Sequence, residues 1–391
     1  MAVQWSTAHC GGAWVISGHE QVAAALRDPR FSVRRAARWI NSGLGGKQAD
    51  SAAERRFKRL FSRSLLFLDG RAHRRLRGVL NPGFKPAQLA LQAPAIEALA
   101  QQLIDDILRD PQSPHGFDFI SRFARPLPAL VIARLMGLPG AVPPAFIDWA
   151  ADLAAFIGSP TPDAAQTLAA QHAMQALCDF FSSTLEQEQG QALPPHSLLA
   201  QLLQARQQGQ INQVELLAQC STLLFAGYET TRNLLGNGLL ALLRHPEQWR
   251  LLKSEPHWLR SAIREMLRHD SPVQYTGRRL LAPVQLDGQT LARGDLAILH
   301  IGLANHDAKR YRQPQDFDIR RDQGMHLSFG QGPHVCLGAA LTQMEAEIAF
   351  TALMRRLPTL ALDTAAPVWQ DNPAYRALAR LPVVFTRNHH A

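Results

Sequence analysis

Residues 329–338, Phe-Gly-Gln-Gly-Pro-His-Val-Cys-Leu-Gly, set one cysteine, Cys336, in a turn made of three glycines and a proline. Leu337, Leu341, Met344, Ile348 and Ala352 follow at helical spacing, which predicts a buried helix starting beside the sulfur. Backbone N–H groups at a helix start favour thiolate over thiol. Glycine lets the chain turn tightly and leaves room for a flat ligand above the sulfur. A thiolate offered in this way suits axial ligation of heme iron. For a cysteine taken alone, a structural thiol in a Gly-rich loop is the ordinary reading, so the rest of the chain has to decide.

A second group lies inside the apolar stretch 213–244, which is long for a globular helix. Asn212 with Glu215 forms a capping-box pattern at its start, and His245-Pro246 ends it. At 1.5 Å per residue it would run roughly 45–50 Å, enough to cross the molecule. Its middle reads Ala226-Gly227-Tyr228-Glu229-Thr230-Thr231. Glycine there costs about 1 kcal/mol against alanine, and a buried glutamate costs more unless paired. Threonine hydroxyls can take over backbone hydrogen bonds and open a helix. Local rules broken at one point mark either function or a harmless kink. Glu265 and Arg268 stand at i, i+3, a pattern that is usually exposed and of little consequence by itself.

Taken together, these residues resemble the cytochrome P450 family. The 329–338 run follows F-G-x-G-x-H-x-C-x-G, the 226–231 hexapeptide follows [AG]-G-x-[DE]-T-[TS], and Glu265 and Arg268 follow E-x-x-R. Asp69, His73 and Arg77 follow D-x-x-x-H-x-x-x-R. The resemblance implies a mainly α, P450-like helical fold with a small β-sheet region at one edge, with residues 1–391 as a single domain. It implies heme b (iron protoporphyrin IX) as cofactor, with Cys336 as the iron ligand and Phe329, Gly330 and Gly338 around it. His73, Arg77, Arg278 and His334 would hold the two propionates. Thr230 would hydrogen-bond the bound dioxygen, and Glu229 would help bring protons from solvent. Glu265 and Arg268 would form a buried network with a third arginine, Arg321 or its neighbour Arg320.

The implied activity is a heme-thiolate monooxygenase that inserts one oxygen atom of O2 into a small lipophilic or secondary-metabolite substrate. Electrons would come from an acidic ferredoxin or a flavodoxin with its reductase, docking near Arg71, Arg74 and Arg75. A heme-thiolate sensor without turnover and an oxidative coupling enzyme are the alternatives. By family position, substrate contacts are expected from 35–66, 150–165, 223–226 and 274–276, with Trp39, Phe61, Leu65, Phe156, Phe225 and Tyr275 as candidates. Members of the family usually carry a further helix before the first strand, and this chain is expected to lack it.

The elements that must position these groups are mostly helical. Amphipathic stretches run near 19–28, 70–80, 87–109, 120–137, 144–157, 163–188, 197–206, 213–244, 246–253, 257–269 and 338–356. Short strands are expected at 14–16, 284–286, 296–301 and 381–385. Residues 30–66 contain many arginines, Gly43 to Gly46 reads as a mobile loop, and the stretch near 35–66 is expected to be loop. The composition, 391 residues with 46% hydrophobic and 19% charged, is that of a soluble globular protein. No run is long and apolar enough to span a membrane, no signal peptide is visible, and a cytoplasmic monomer is expected. Cys10, Cys178, Cys220 and Cys336 form no C-x-x-C pair, which argues against zinc knuckles and disulfide frameworks. The net charge of +9 comes without basic blocks or a nucleic-acid motif, and an acidic protein partner suits it.

Overall fold

The Gln213–Arg244 helix is the axis of the structure, a computed structural model that describes residues 2–7, 11–34, 51–138, 143–187 and 193–386. Its start is the expected capping box: Glu215 N–H donates to Asn212 Oδ1 at 3.0 Å, and Asn212 N–H donates to the Glu215 carboxylate at 3.1 Å. His245 caps its other end, and Pro246 opens the next helix, Pro246–Ser254. Against this axis pack the helices Ala52–Arg63, Pro126–Met136, Ala145–Gly158, Ala164–Gln187, Leu259–His269 and Ala339–Arg356. The helix does not open at its centre. Thr230 Oγ1 donates to the Ala226 carbonyl at 3.2 Å while the helical ladder continues. Gly227 is there for packing: a Cβ on it would stand 2.8 Å from Ile132 Cδ1, inside contact distance. The expected break is therefore a close helix crossing, with the glycine admitting Pro126–Met136.

The β region lies at one edge, as expected. Its main sheet has five strands in the order Val3–Ser6, Ala13–Ile16, Leu296–Leu299, Thr276–Leu280 and Phe31–Ser32. Ala13–Ile16 runs parallel to Leu296–Leu299, and the other pairings are antiparallel. A small core of Ile16, Val22, Leu26, Leu280 and Leu299 lies beneath it, separate from the large core between the helices.

Three expectations need correction. Residues 52–63, read as loop, form a helix with a complete Ser51–Glu54 capping box. Its buried stripe of Phe57, Leu60 and Phe61 was hidden among arginines. The 87–109 stretch is two helices, Pro86–Ala90 and Ala93–Arg109, because Pro94 begins the second one afresh. The 120–137 stretch opens with the wider turn Ile120–Ala124, in which Arg125 N–H donates to Ile120 O five residues back, before Pro126–Met136. Gly43 to Gly46 and Trp39 lie outside the described residues.

Glu265 is buried on the Leu259–His269 helix and shared by two arginines. Arg268 approaches it at 2.7 and 2.9 Å, and Arg321 Nε at 3.1 Å. Arg321 is thus the third member, while Arg320 is exposed and faces Asp318 at 3.9 Å. Removing one partner of a buried pair strands the other charge, so Glu265→Ala should cost about 3–5 kcal/mol. Arg320→Ala, at the exposed neighbour, should stay within about 0.5 kcal/mol. Denaturant midpoints measured on both variants check the contrast. Equal midpoints would mean that the buried network contributes nothing to stability.

Candidate functional site

The cysteine loop is tied at both ends. Cys336 N–H donates to Phe329 O at 2.8 Å, and Gly330 N–H donates to Leu327 O at 2.8 Å. Gly332 sits at φ +71°, where an added Cβ would meet the Leu26 carbonyl at 2.8 Å, so both conformation and space demand glycine. The helix Ala339–Arg356 starts three residues after the sulfur, with Gly338 as its N-cap. Cys336 is exposed at the wall of a cavity of about 730 Å³. Burial pushes its thiol pKa up, against the opposing pull of the Gly338 N–H and Arg77. A cation bound to the sulfur would favour its thiolate form.

Four cationic or protonatable side chains from three places in the sequence reach the same cavity: His73, Arg77, Arg278 and His334. His73 and Arg77 come from the Gly70–Leu80 helix, and Arg278 from the Thr276–Leu280 strand. Arg77 donates to Pro333 O at 3.0 Å, fastening that helix to the cysteine loop. The His73 and His334 rings stand 4.1 Å apart. Burial, with His334 and Arg77 nearby, lowers the His73 pKa to about 4, so it is neutral at physiological pH. Its Nε2 is buried and has no hydrogen-bond partner. Asp69 accepts from His334 at 3.4 Å and from Ser32 at 2.5 Å. Burial alone would raise its pKa, but the His334 and Ser32 bonds and the Val33 amide hold it down at about 2.

These residues fit a heme. A sulfur opens into a roomy cavity beside two arginines, a second histidine and an orphaned imidazole nitrogen, a donor set suited to two carboxylates. Phe329, Gly330 and Gly338 line the wall around the sulfur, and an added Cβ at Gly330 or Gly338 would meet nothing closer than 3.7 Å, leaving that wall open. Among the described residues, no cluster of His, Cys, Asp and Glu offers a rival metal site.

The long helix gives the opposite wall through Leu223, Phe225, Ala226, Gly227 and Thr230. Glu229 is not part of that lining. It is buried and held by Arg232 at 2.9 and 3.1 Å and by Asn233 at 3.3 Å, while Arg232 also donates to Leu378 O. The sequence pair Glu229–Thr230 is thus divided between the protein interior and the cavity.

Of the candidate substrate contacts, Leu65, Phe225 and Tyr275 line the cavity. Phe61 and Phe156 form an aromatic cluster outside the lining, their rings 5.5 Å apart. Leu66, Phe67, Ile132, Ala374 and Tyr375 also line the cavity and were not singled out, because in sequence they are indistinguishable from core. Arg71, Arg74 and Arg75 are exposed as expected, and Arg75 also pairs with the Glu215 carboxylate. A further unforeseen group is Glu345, wholly buried one helical turn beyond Thr342 on the cavity wall. One of its oxygens has no partner, and desolvation pushes its pKa well up.

Residues 44–373 match the family profile described as Cytochrome P450. The monooxygenase PikC of Streptomyces venezuelae is 34% identical over 97% of this chain and 86% of its own length. A biotin biosynthesis cytochrome P450 of Bacillus subtilis is 33% identical over 95% of this chain and 90% of its own. The crystal structure of P450BioI with an acyl carrier protein bearing hexadec-9Z-enoic acid superposes with a TM-score of 0.88. It is 30% identical and covers 98% of this chain and 95% of that one. With the cysteine loop, the cation set and the central helix arranged about one cavity, the chain belongs to the cytochrome P450 family of heme-binding oxidoreductases.

Proposed function

We propose that this protein is a cytoplasmic, monomeric, single-domain heme b monooxygenase. It would insert one atom of O2 into a lipophilic substrate of secondary metabolism, with electrons from an acidic ferredoxin or flavodoxin. The observation that carries the reading is that Cys336 and Thr230 lie on walls of one cavity, with four propionate-suited side chains also in its lining. Cys336 would hold the iron, while Arg77, Arg278, His73 and His334 would hold the carboxylates. When bound, heme supplies the center at which dioxygen is activated.

The chain's own residues divide the remaining work. Leu65, Leu66, Phe67, Ile157, Leu223 and Phe225 make an apolar wall that keeps water out and receives a lipophilic body. Thr230 Oγ1, resting on the Ala226 carbonyl, can rotate its proton toward a group in the cavity. For Glu229 to resupply that proton, its ion pair with Arg232 must open, because the carboxylate is held outside the lining. Glu229 is therefore the slower and Thr230 the immediate donor. A chain-like substrate is supported by the relative whose structure holds a fatty acid on a carrier protein. Exposed Arg71 and Arg74, on the helix fastened to the cysteine loop by Arg77, support an acidic electron donor near the sulfur. In the described residues no helix is long and apolar enough to cross a membrane.

Two variants test the reading. The reduced, carbon monoxide-bound protein should show the long-wavelength Soret band of thiolate ligation, and Cys336→Ser should lose it while keeping the fold. A band that survives the substitution would assign the ligand elsewhere. Thr230→Ala should still bind substrate and accept electrons, yet product formed per NAD(P)H consumed should fall. A positioned proton donor contributes about 10²–10⁴-fold. An unchanged ratio, measured with ferredoxin and reductase supplied, would remove Thr230 from the mechanism.

A further inference from the structure

The Ala52–Arg63 helix has two faces with different tasks. Inward, Phe57, Leu60 and Phe61 are buried, with Phe61 stacked on Phe67 at 4.7 Å. Phe67 lines the cavity together with Leu65 and Leu66, so the helix stands directly behind the cavity wall. Outward, it carries Arg55, Arg56, Lys58, Arg59 and Arg63. Among the described residues, carboxylates near them include Glu54, engaged in the capping box, Asp179, exposed 3.8 Å from Arg56, and Glu215, near Arg63.

This charge does not serve the helix. Arg55, Arg59 and Arg63 follow one another at i, i+4, where like charges destabilise a helix. Nor does it belong to the sulfur side. The helix packs on Gln213–Arg244 and Ala164–Gln187, whereas the cysteine loop is held by Leu259–His269 and Gly70–Leu80. On the helix itself all three large apolar side chains are buried, and Leu66, just past its end, is exposed beside the cations.

We propose that this basic face docks an acidic carrier protein that presents the substrate as a thioester on its phosphopantetheine arm. The inference rests on the reading of a lipophilic chain as substrate. Complementary charge would orient the carrier over the wall formed by Leu65, Leu66 and Phe67, and the arm would lead the chain inward. The thioester stays intact throughout, so docking itself needs no chemistry.

The test uses the full-length heme-loaded protein and the double variant R55E/R59E. The probes are free tetradecanoate and the same chain as a thioester on an acidic acyl carrier protein, followed by spin-state shift and calorimetry. The carrier-borne chain should bind the wild type more tightly than the free acid does, and less tightly as salt is added. The double variant should weaken carrier binding by about tenfold or more and leave binding of the free acid unchanged. Equal carrier affinity in both proteins would overturn the proposal. So would a loss confined to reduction by ferredoxin, which would make this face the electron donor's. Binding of anionic phosphatidylglycerol vesicles without binding of carrier would reassign it to a membrane. If free tetradecanoate produces no spin shift, the substrate reading fails, while calorimetry with the carrier protein alone still decides the docking.

Discussion

The cysteine loop depends on one buried carboxylate. Glu265 neutralises Arg268 and Arg321 in the interior, and it also accepts from the Asp318 amide at 3.0 Å. Arg268 then spends its remaining donors on the carbonyls of Asn305, Pro314 and Asp316. Two arginines thus fix a segment that has little regular structure of its own. Asn305 passes this order on: its side chain accepts from Leu327 N–H at 2.7 Å and donates to Ser271 and Ser328. Ser328 in turn donates to Leu267 O on the helix that bears Glu265. The chain of bonds closes on itself immediately before Phe329, where the Cys336 turn begins. Such a network is costly to desolvate and retains its value only when complete.

The cavity wall is built differently. Arg77 donates to the Pro333 carbonyl, and Arg278 donates to the Thr276 hydroxyl and the Gly277 carbonyl. His73 stays neutral because burial, with His334, Arg77 and Arg74 nearby, opposes its protonation. Asp69 steadies His334 from outside. A dianionic ligand would add carboxylate partners for these groups, and a metal cation would balance a thiolate at Cys336. Both ends of the site would suit a group that brings a positive center and two negative arms.

Much of this was legible in the sequence because it is local. The cysteine turn, the capping box at Asn212 and the helix stop at Pro246 each depend on residues a few positions apart. The four nitrogen-bearing side chains of the cavity were legible only through the family resemblance, since nothing in the spacing of His73, Arg278 and His334 brings them together. Periodicity gave most helices but missed Ala52–Arg63, where two phenylalanines and a leucine were outnumbered by cations. It also missed the strand Thr276–Leu280, whose adjacent arginines do not alternate in the usual way. Arg320 and Arg321 could not be told apart in sequence. Burial separates them in the fold.

The centre of the long helix shows why a broken local rule is a weak guide until the neighbours are known. Three of its irregular residues answer to three different constraints. Gly227 answers to the crossing of Ile132, and Glu229 to Arg232 and the Leu378 strand behind the helix. Thr231 answers to Thr342 across the core at 3.3 Å. Thr230 alone among the three polar residues 229–231 turns to the cavity, and its hydroxyl donates to a carbonyl that the helix does not need it to satisfy. A hydroxyl in that position is free to change partners without loosening the helix. That freedom is what a proton donor beside a reacting group requires, and it separates Thr230 from a glutamate committed to an ion pair.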